Sequence, residues 1–104
     1  MECVGVAFVA ANGSCDNYSP IASVATEIEE MAKKAEQLEK YDETFSVWLC
    51  FEDGSREPLK TSLRIRYDIS RGEFSDVLWG NKYVTPAEIG TIIWRTIYFG
   101  QYLS

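Results

Sequence analysis

The sequence predicts an α+β domain: a mostly antiparallel sheet of four to five strands with two helices, in the order β-α-β-β-β-(β)-α. Three observations carry this expectation. Apolar residues recur at helical spacing over 21–38, they alternate with polar ones along two later runs, and Thr85-Pro86-Ala87-Glu88 spells the start of a second helix. The 104 residues suit one domain, 1–104, and leave no room for two cores.

Residues 4–10 form a short apolar run without polar alternation, which suits a strand buried on both faces. Residues 11–19 read as a loop, with Asn12-Gly13 as its turn. Ser19 then stands where a helix cap would, and Pro20 where a first helical residue loses nothing by lacking an N–H. Ile21, Val24, Ala25, Ile28, Met31, Ala32, Ala35 and Leu38 make one stripe, read as core packing against the sheet. Glu29, Glu30 and Glu36 each precede a lysine by four residues, an arrangement worth about 0.2–0.5 kcal/mol a pair.

From Thr44 the period becomes two. Phe45, Val47, Leu49 and Phe51 share one face, and Leu59, Thr61, Leu63, Ile65, Tyr67 and Ile69 follow in the second run. For Leu49 and Leu63 to meet in one core, the connecting loop must hold an odd number of residues. The expected loop is Asp53-Gly54-Ser55, placing Glu52 opposite Arg56, Trp48 opposite Lys60 and Thr44 opposite Arg64. The next turn, Ser70-Arg71-Gly72 with Gly72 left-handed, puts Arg66 opposite Asp76 and Arg64 opposite Leu78. The alternative two-residue turn would bury Asp76 unpaired, at a cost of several kcal/mol. Gly80-Asn81 is a further turn, and residues 82–84 make a short extra strand. The second helix runs from Pro86 to about Phe99 with Gly100 after it. It joins the first helix or covers the opposite face of the sheet.

Composition narrows function by exclusion. Ten Lys+Arg against sixteen Asp+Glu give a charge of −6, which disfavours direct contact with nucleic acid or an anionic membrane. No run approaches the ~18 apolar residues that span a bilayer, and the Met1-Glu2 start lacks the basic stretch of a secretory signal. There is no histidine, so the commonest general base and most zinc ligand sets are missing. Phosphate-binding glycine motifs are absent, and no spacing singles out a carboxylate pair for metal or acid–base work. The reading is non-enzymatic, with no cofactor and no metal. Cys3, Cys15 and Cys50 form no metal or redox motif and suit a reducing, cytoplasmic setting. Cys15 lies in a polar stretch where exposure is expected, though Asp16 beside it works against a reactive thiolate.

Two surfaces stand out. The outer sheet face would display Trp48, Arg64, Arg66, Asp68, Phe74, Asp76 and Leu78, and tryptophan and arginine are typical interface anchors. Carboxylates at strand ends and turns, including Glu52 and Asp53, would supply steering charge toward a basic partner. The expected partner-binding set is Trp48, Arg64, Arg66, Asp68, Phe74, Asp76, Glu52 and Asp53. It belongs to a small acidic module that inhibits, neutralises or chaperones another protein, of the kind that serves as an immunity protein or as a phage inhibitor of nucleic-acid-handling enzymes. The alternative is a ligand-binding or catalytic domain with a pocket between the sheet and the last helix. Trp94, Tyr98, Phe99, Tyr102 and Leu103 exceed what one helical stripe can bury, so some are expected to line a dimer interface, a ligand pocket or a partner groove. A third reading is a homodimer paired through an edge strand or the last helix.

Overall fold

The structure is a computed structural model that describes residues 2–13 and 16–99. Its strands are β1 (Cys3–Ala10), β2 (Asp16–Pro20), β3 (Lys40–Phe51), β4 (Arg56–Asp68), β5 (Asp76–Trp79) and β6 (Lys82–Tyr83). Its helices are α1 (Val24–Ala35) and α2 (Pro86–Tyr98). The six strands form one antiparallel sheet in the order β2-β1-β3-β4-β5-β6.

The α+β class is as expected, but the sheet has six strands rather than four or five. The additional one is β2, in the stretch read as loop. Asp16, Asn17, Tyr18 and Pro20 carry no strand pattern, and Ser19 is the one buried member. As an edge strand it needs only backbone pairing to β1. Ser19 therefore caps no helix; its hydroxyl donates to the Pro20 carbonyl, 2.9 Å away. A 3₁₀ turn, Ile21–Ser23, follows Pro20, and α1 starts at Val24. The helix ends at Ala35, so Leu38 falls outside it, half exposed.

Both helices lie on one face of the sheet. Val24 and Ile28 of α1 and Ile89 and Ile93 of α2 share a single cluster with Phe8, Phe45, Leu49, Leu63 and Ile65. Thr85 and Glu88 form a complete capping box at the start of α2, with Pro86 in its first turn. Two serine contacts fasten the segment before β5 to the end of α1: the Ser75 N–H donates to Glu36 Oε2 (2.9 Å) and its hydroxyl to the Ala32 carbonyl (2.8 Å).

The β3–β4 hairpin keeps the expected parity but not the expected loop. The Phe51 N–H donates to the Ser55 carbonyl at 2.9 Å, so the loop is Glu52-Asp53-Gly54, with Gly54 in the left-handed region at φ +88°. Arg56 consequently faces Cys50 rather than Glu52, and Trp48 faces Pro58 rather than Lys60. A bulge between Ser46 and Trp48 sets Leu59, Lys60 and Thr61 against Val47, which returns Thr44 to its place opposite Arg64. In the next hairpin Arg66 faces Asp76 and Arg64 faces Leu78, as read from the sequence. Gly72 is not the left-handed residue, because β4 and β5 are joined by a longer loop over 69–75.

The borders of the sheet are short or broken. β6 has two residues, β2 ends in Pro20, and the first half of β4, which includes Pro58 and the residues bulged against β3, extends past β5.

Candidate functional site

The sheet face opposite the helices carries no covering element among the described residues. Alternation places Gly5, Ala7 and Val9 of β1 there, with Asp42, Thr44, Ser46, Trp48 and Cys50 of β3 beside them. β4 adds Arg56, Ser62, Arg64, Arg66 and Asp68, and β5 adds Asp76 and Leu78. The strand positions of this face set five cations, Lys40, Arg56, Lys60, Arg64 and Arg66, against four carboxylates, Asp16, Asp42, Asp68 and Asp76. The −6 of the whole chain is therefore carried elsewhere.

Three arginine–aspartate pairs organise the face. Arg64 grips Asp42 with two donors, Nε at 2.9 Å and Nη2 at 2.6 Å. That hydrogen-bonded contact holds the Asp42 carboxyl below the usual carboxylate range and raises the Arg64 guanidinium. Arg66 donates from Nε to Asp76 at 3.1 Å and from Nη2 to the Tyr83 hydroxyl at 2.5 Å, with its guanidinium 5.9 Å from the Tyr83 ring centre. Arg56 reaches Asp16 at 3.1 Å, tying β4 to the edge strand. Arg66 is the least exposed of the three arginine side chains, at 25%.

Trp48 lies at the other end of this face. Ala7 sits between Trp48 on β3 and Tyr18 on β2 in register, and is fully buried although no helix covers it. The indole Nε1 donates to Ser46 Oγ at 3.0 Å. A Cβ on Gly5 would overlap the Tyr18 ring, so the small residues of β1 are what allow that ring to lie flat on the sheet.

An open pocket of about 630 Å³ occupies the Arg66 end of the face. Lys40, Asp42, Arg66, Asp68, Asp76 and Tyr83 line it from the strands, and Arg71 and Phe74 from the 69–75 loop. Between the sheet and α2, by contrast, the space is filled by Ile89 and Ile93, both fully buried.

The eight residues expected from sequence do not form one cluster. Arg64, Arg66, Asp68, Phe74 and Asp76 gather at one end, Trp48 stands farther along β3, and Glu52 and Asp53 occupy the hairpin tip beyond it. Asp53 and Asp68 each accept the N–H (2.9 Å) and hydroxyl (2.6 Å) of the serine two residues on, Ser55 and Ser70. These bonds draw both carboxyls below their ordinary range. Sequence reasoning missed Asp42 and Tyr83 as partners of the arginines. Asp42 stands in phase with Thr44 and Ser46, so extending the alternation two residues upstream would have placed it beside Arg64.

Comparison with protein-family models, curated proteins and solved structures found no match. The site therefore has to be read from its own chemistry. Cys3 and Cys50 are buried free thiols, and burial pushes both above the usual thiol range, away from the reactive thiolate. Cys15 lies outside the described residues. No group of three or more metal-ligating side chains gathers among the described residues, and no helix there is long and apolar enough to cross a membrane.

Proposed function

We propose that this chain is a small acidic, non-enzymatic binding protein that docks on another protein through the uncovered face of its sheet and so inhibits, neutralises or chaperones it. One observation carries the reading: both helices pack on the same side of a six-stranded sheet, leaving arginines, Trp48 and Tyr83 on a face that no element among the described residues covers. Arginine and aromatic side chains are the usual energetic anchors of protein interfaces. Arg66 is held in place by Asp76 and Tyr83, so little side-chain freedom is left to lose on docking. The surplus negative charge on the rest of the surface steers the molecule toward a basic partner, the kind of surface nucleic-acid-handling proteins present. The chain itself does not contact nucleic acid or membrane in this reading, and it acts inside the cytoplasm.

The test is capture of a partner from the native cell with the wild-type chain, followed by repetition with Arg66→Ala and Trp48→Ala. The expected result is one dominant protein, bound at least tenfold more weakly by each variant, while Lys33→Ala on α1 binds it normally. A partner that binds all three variants equally overturns the docking face. The pocket beside Arg66 is the observation that favours a second reading, a ligand-binding domain. A tight small-molecule ligand displaced by Arg66→Ala, with no protein captured, would establish that reading instead.

A further inference from the structure

The solvent side of α2 carries an exposed aromatic stack that the docking face does not use. Trp94 and Tyr98 stack with ring centres 4.9 Å apart and planes 11° from parallel, and Phe99 meets Tyr98 edge-on at 5.3 Å. All three remain more than half exposed, at 53%, 68% and 67%. Three large rings gathered together in water are a patch of the kind that marks an interaction surface.

We propose that this helix face is the contact through which two copies of the chain pair, antiparallel. The helix is self-complementary in shape. Ala87, Thr91, Trp94 and Tyr98 follow one another at four-, three- and four-residue steps, which makes one stripe with small residues at its start and large rings at its end. A second α2 laid antiparallel, centred between Ile92 and Ile93, sets Trp94 on the partner's Thr91 and Tyr98 on the partner's Ala87. Rings meet small residues, and the reverse holds across the two-fold axis, as an isologous interface requires. Thr91 already satisfies its hydroxyl on the Ala87 carbonyl at 3.1 Å, which leaves its methyl group for the facing ring.

Charge selects the same occupant. Copies of a −6 chain repel one another, yet the only charged residues within α2 are Glu88 and Arg95. They lie two turns apart, so antiparallel pairing brings each Glu88 toward the partner's Arg95 and forms two opposite-charge contacts. Six partly exposed rings supply on the order of 700 Å² of buried area. That is over half of the roughly 1,200 Å² at the small end of specific interfaces, so the dimer is a weak one.

The test needs only the purified full chain, so its outcome is independent of the docking face. Sedimentation velocity over roughly 1 to 500 μM should show the mass rise from 11.8 kDa toward twice that value. Trp94→Ala and Tyr98→Ala should each weaken the dimer at least tenfold without moving the urea midpoint measured at concentrations where the chain is monomeric, since both side chains are more than half exposed. Ala87→Trp separates this pairing from general stickiness: it adds apolar surface but occupies the place of the partner's ring, and it should leave a monomer. A monomer at every concentration overturns the proposal, whether residues 100–104 or another protein then cover the rings. So does an Ala87→Trp chain that associates as strongly as the native one.

Discussion

At the scale of single residues, the outer face is shaped by what is missing as much as by what is present. Gly5 has ordinary backbone geometry, so alanine fits its conformation, and restricting the unfolded chain would contribute about 0.4–1 kcal/mol of stability. The added Cβ, however, collides with the Tyr18 ring and must push it off the sheet. Gly5→Ala is therefore expected to change stability by less than about 1 kcal/mol alone but to stabilise by about 0.4–1 kcal/mol in a Tyr18→Ala background. Urea unfolding of the four chains measures that coupling, and additive effects would show that the ring does not rest on Gly5. Asp42 makes a second residue-level prediction. Its carboxyl is depressed in the folded state below the unfolded value of about 3.9. Its contribution is thus complete above that value and is lost as pH falls through the lower folded one. Because the pair with Arg64 is largely exposed, the contribution is at most about 1 kcal/mol. Asp42→Asn should lower stability at pH 7 and flatten the acid limb of a urea-midpoint against pH curve below pH 4. Parallel curves for the two chains would exclude the linkage.

At the scale of elements, the second helix shows how much was legible in the sequence. Its capping box is local, four consecutive residues that satisfy one another's donors, so it could be read without knowing anything of the fold. Thr85→Ala should cost about 0.5–2 kcal/mol in chemical denaturation, and Thr85→Ser only a fraction of that. The β4–β5 register was equally legible, because burying Asp76 would have been too costly for the alternative. Ser19 and Pro20 misled for a related reason. They suit a helix start locally, but pairing to β1 places Ser19 in an edge strand that has almost no side-chain signature. The bulge opposite Val47 was hidden as well, since β4 shifts by an even number of residues and every side chain keeps its face. Local chemistry and parity can be read from a chain one residue at a time. Edge pairing depends on the neighbouring strand, and the sequence of the edge itself does not record it.

At the scale of the whole molecule, charge is partitioned. The uncovered sheet face pairs three of its arginines with aspartates, and the excess of carboxylates lies around it. Capture of a basic partner should therefore slow as salt rises, through the association rate, while the Arg66 and Trp48 variants act on dissociation. Surface plasmon resonance at two ionic strengths separates the effects, and salt-independent association would remove the steering role. The borders of the sheet have a consequence of their own. A bare strand flank is a template on which further chains can add, the first step toward cross-β fibres. Here one border is two residues long, another terminates in Pro20, and the overhanging half of β4 is kinked by its extra residues next to Pro58. Strand addition is disfavoured along each of these three borders, which lowers the tendency of one sheet to grow onto another.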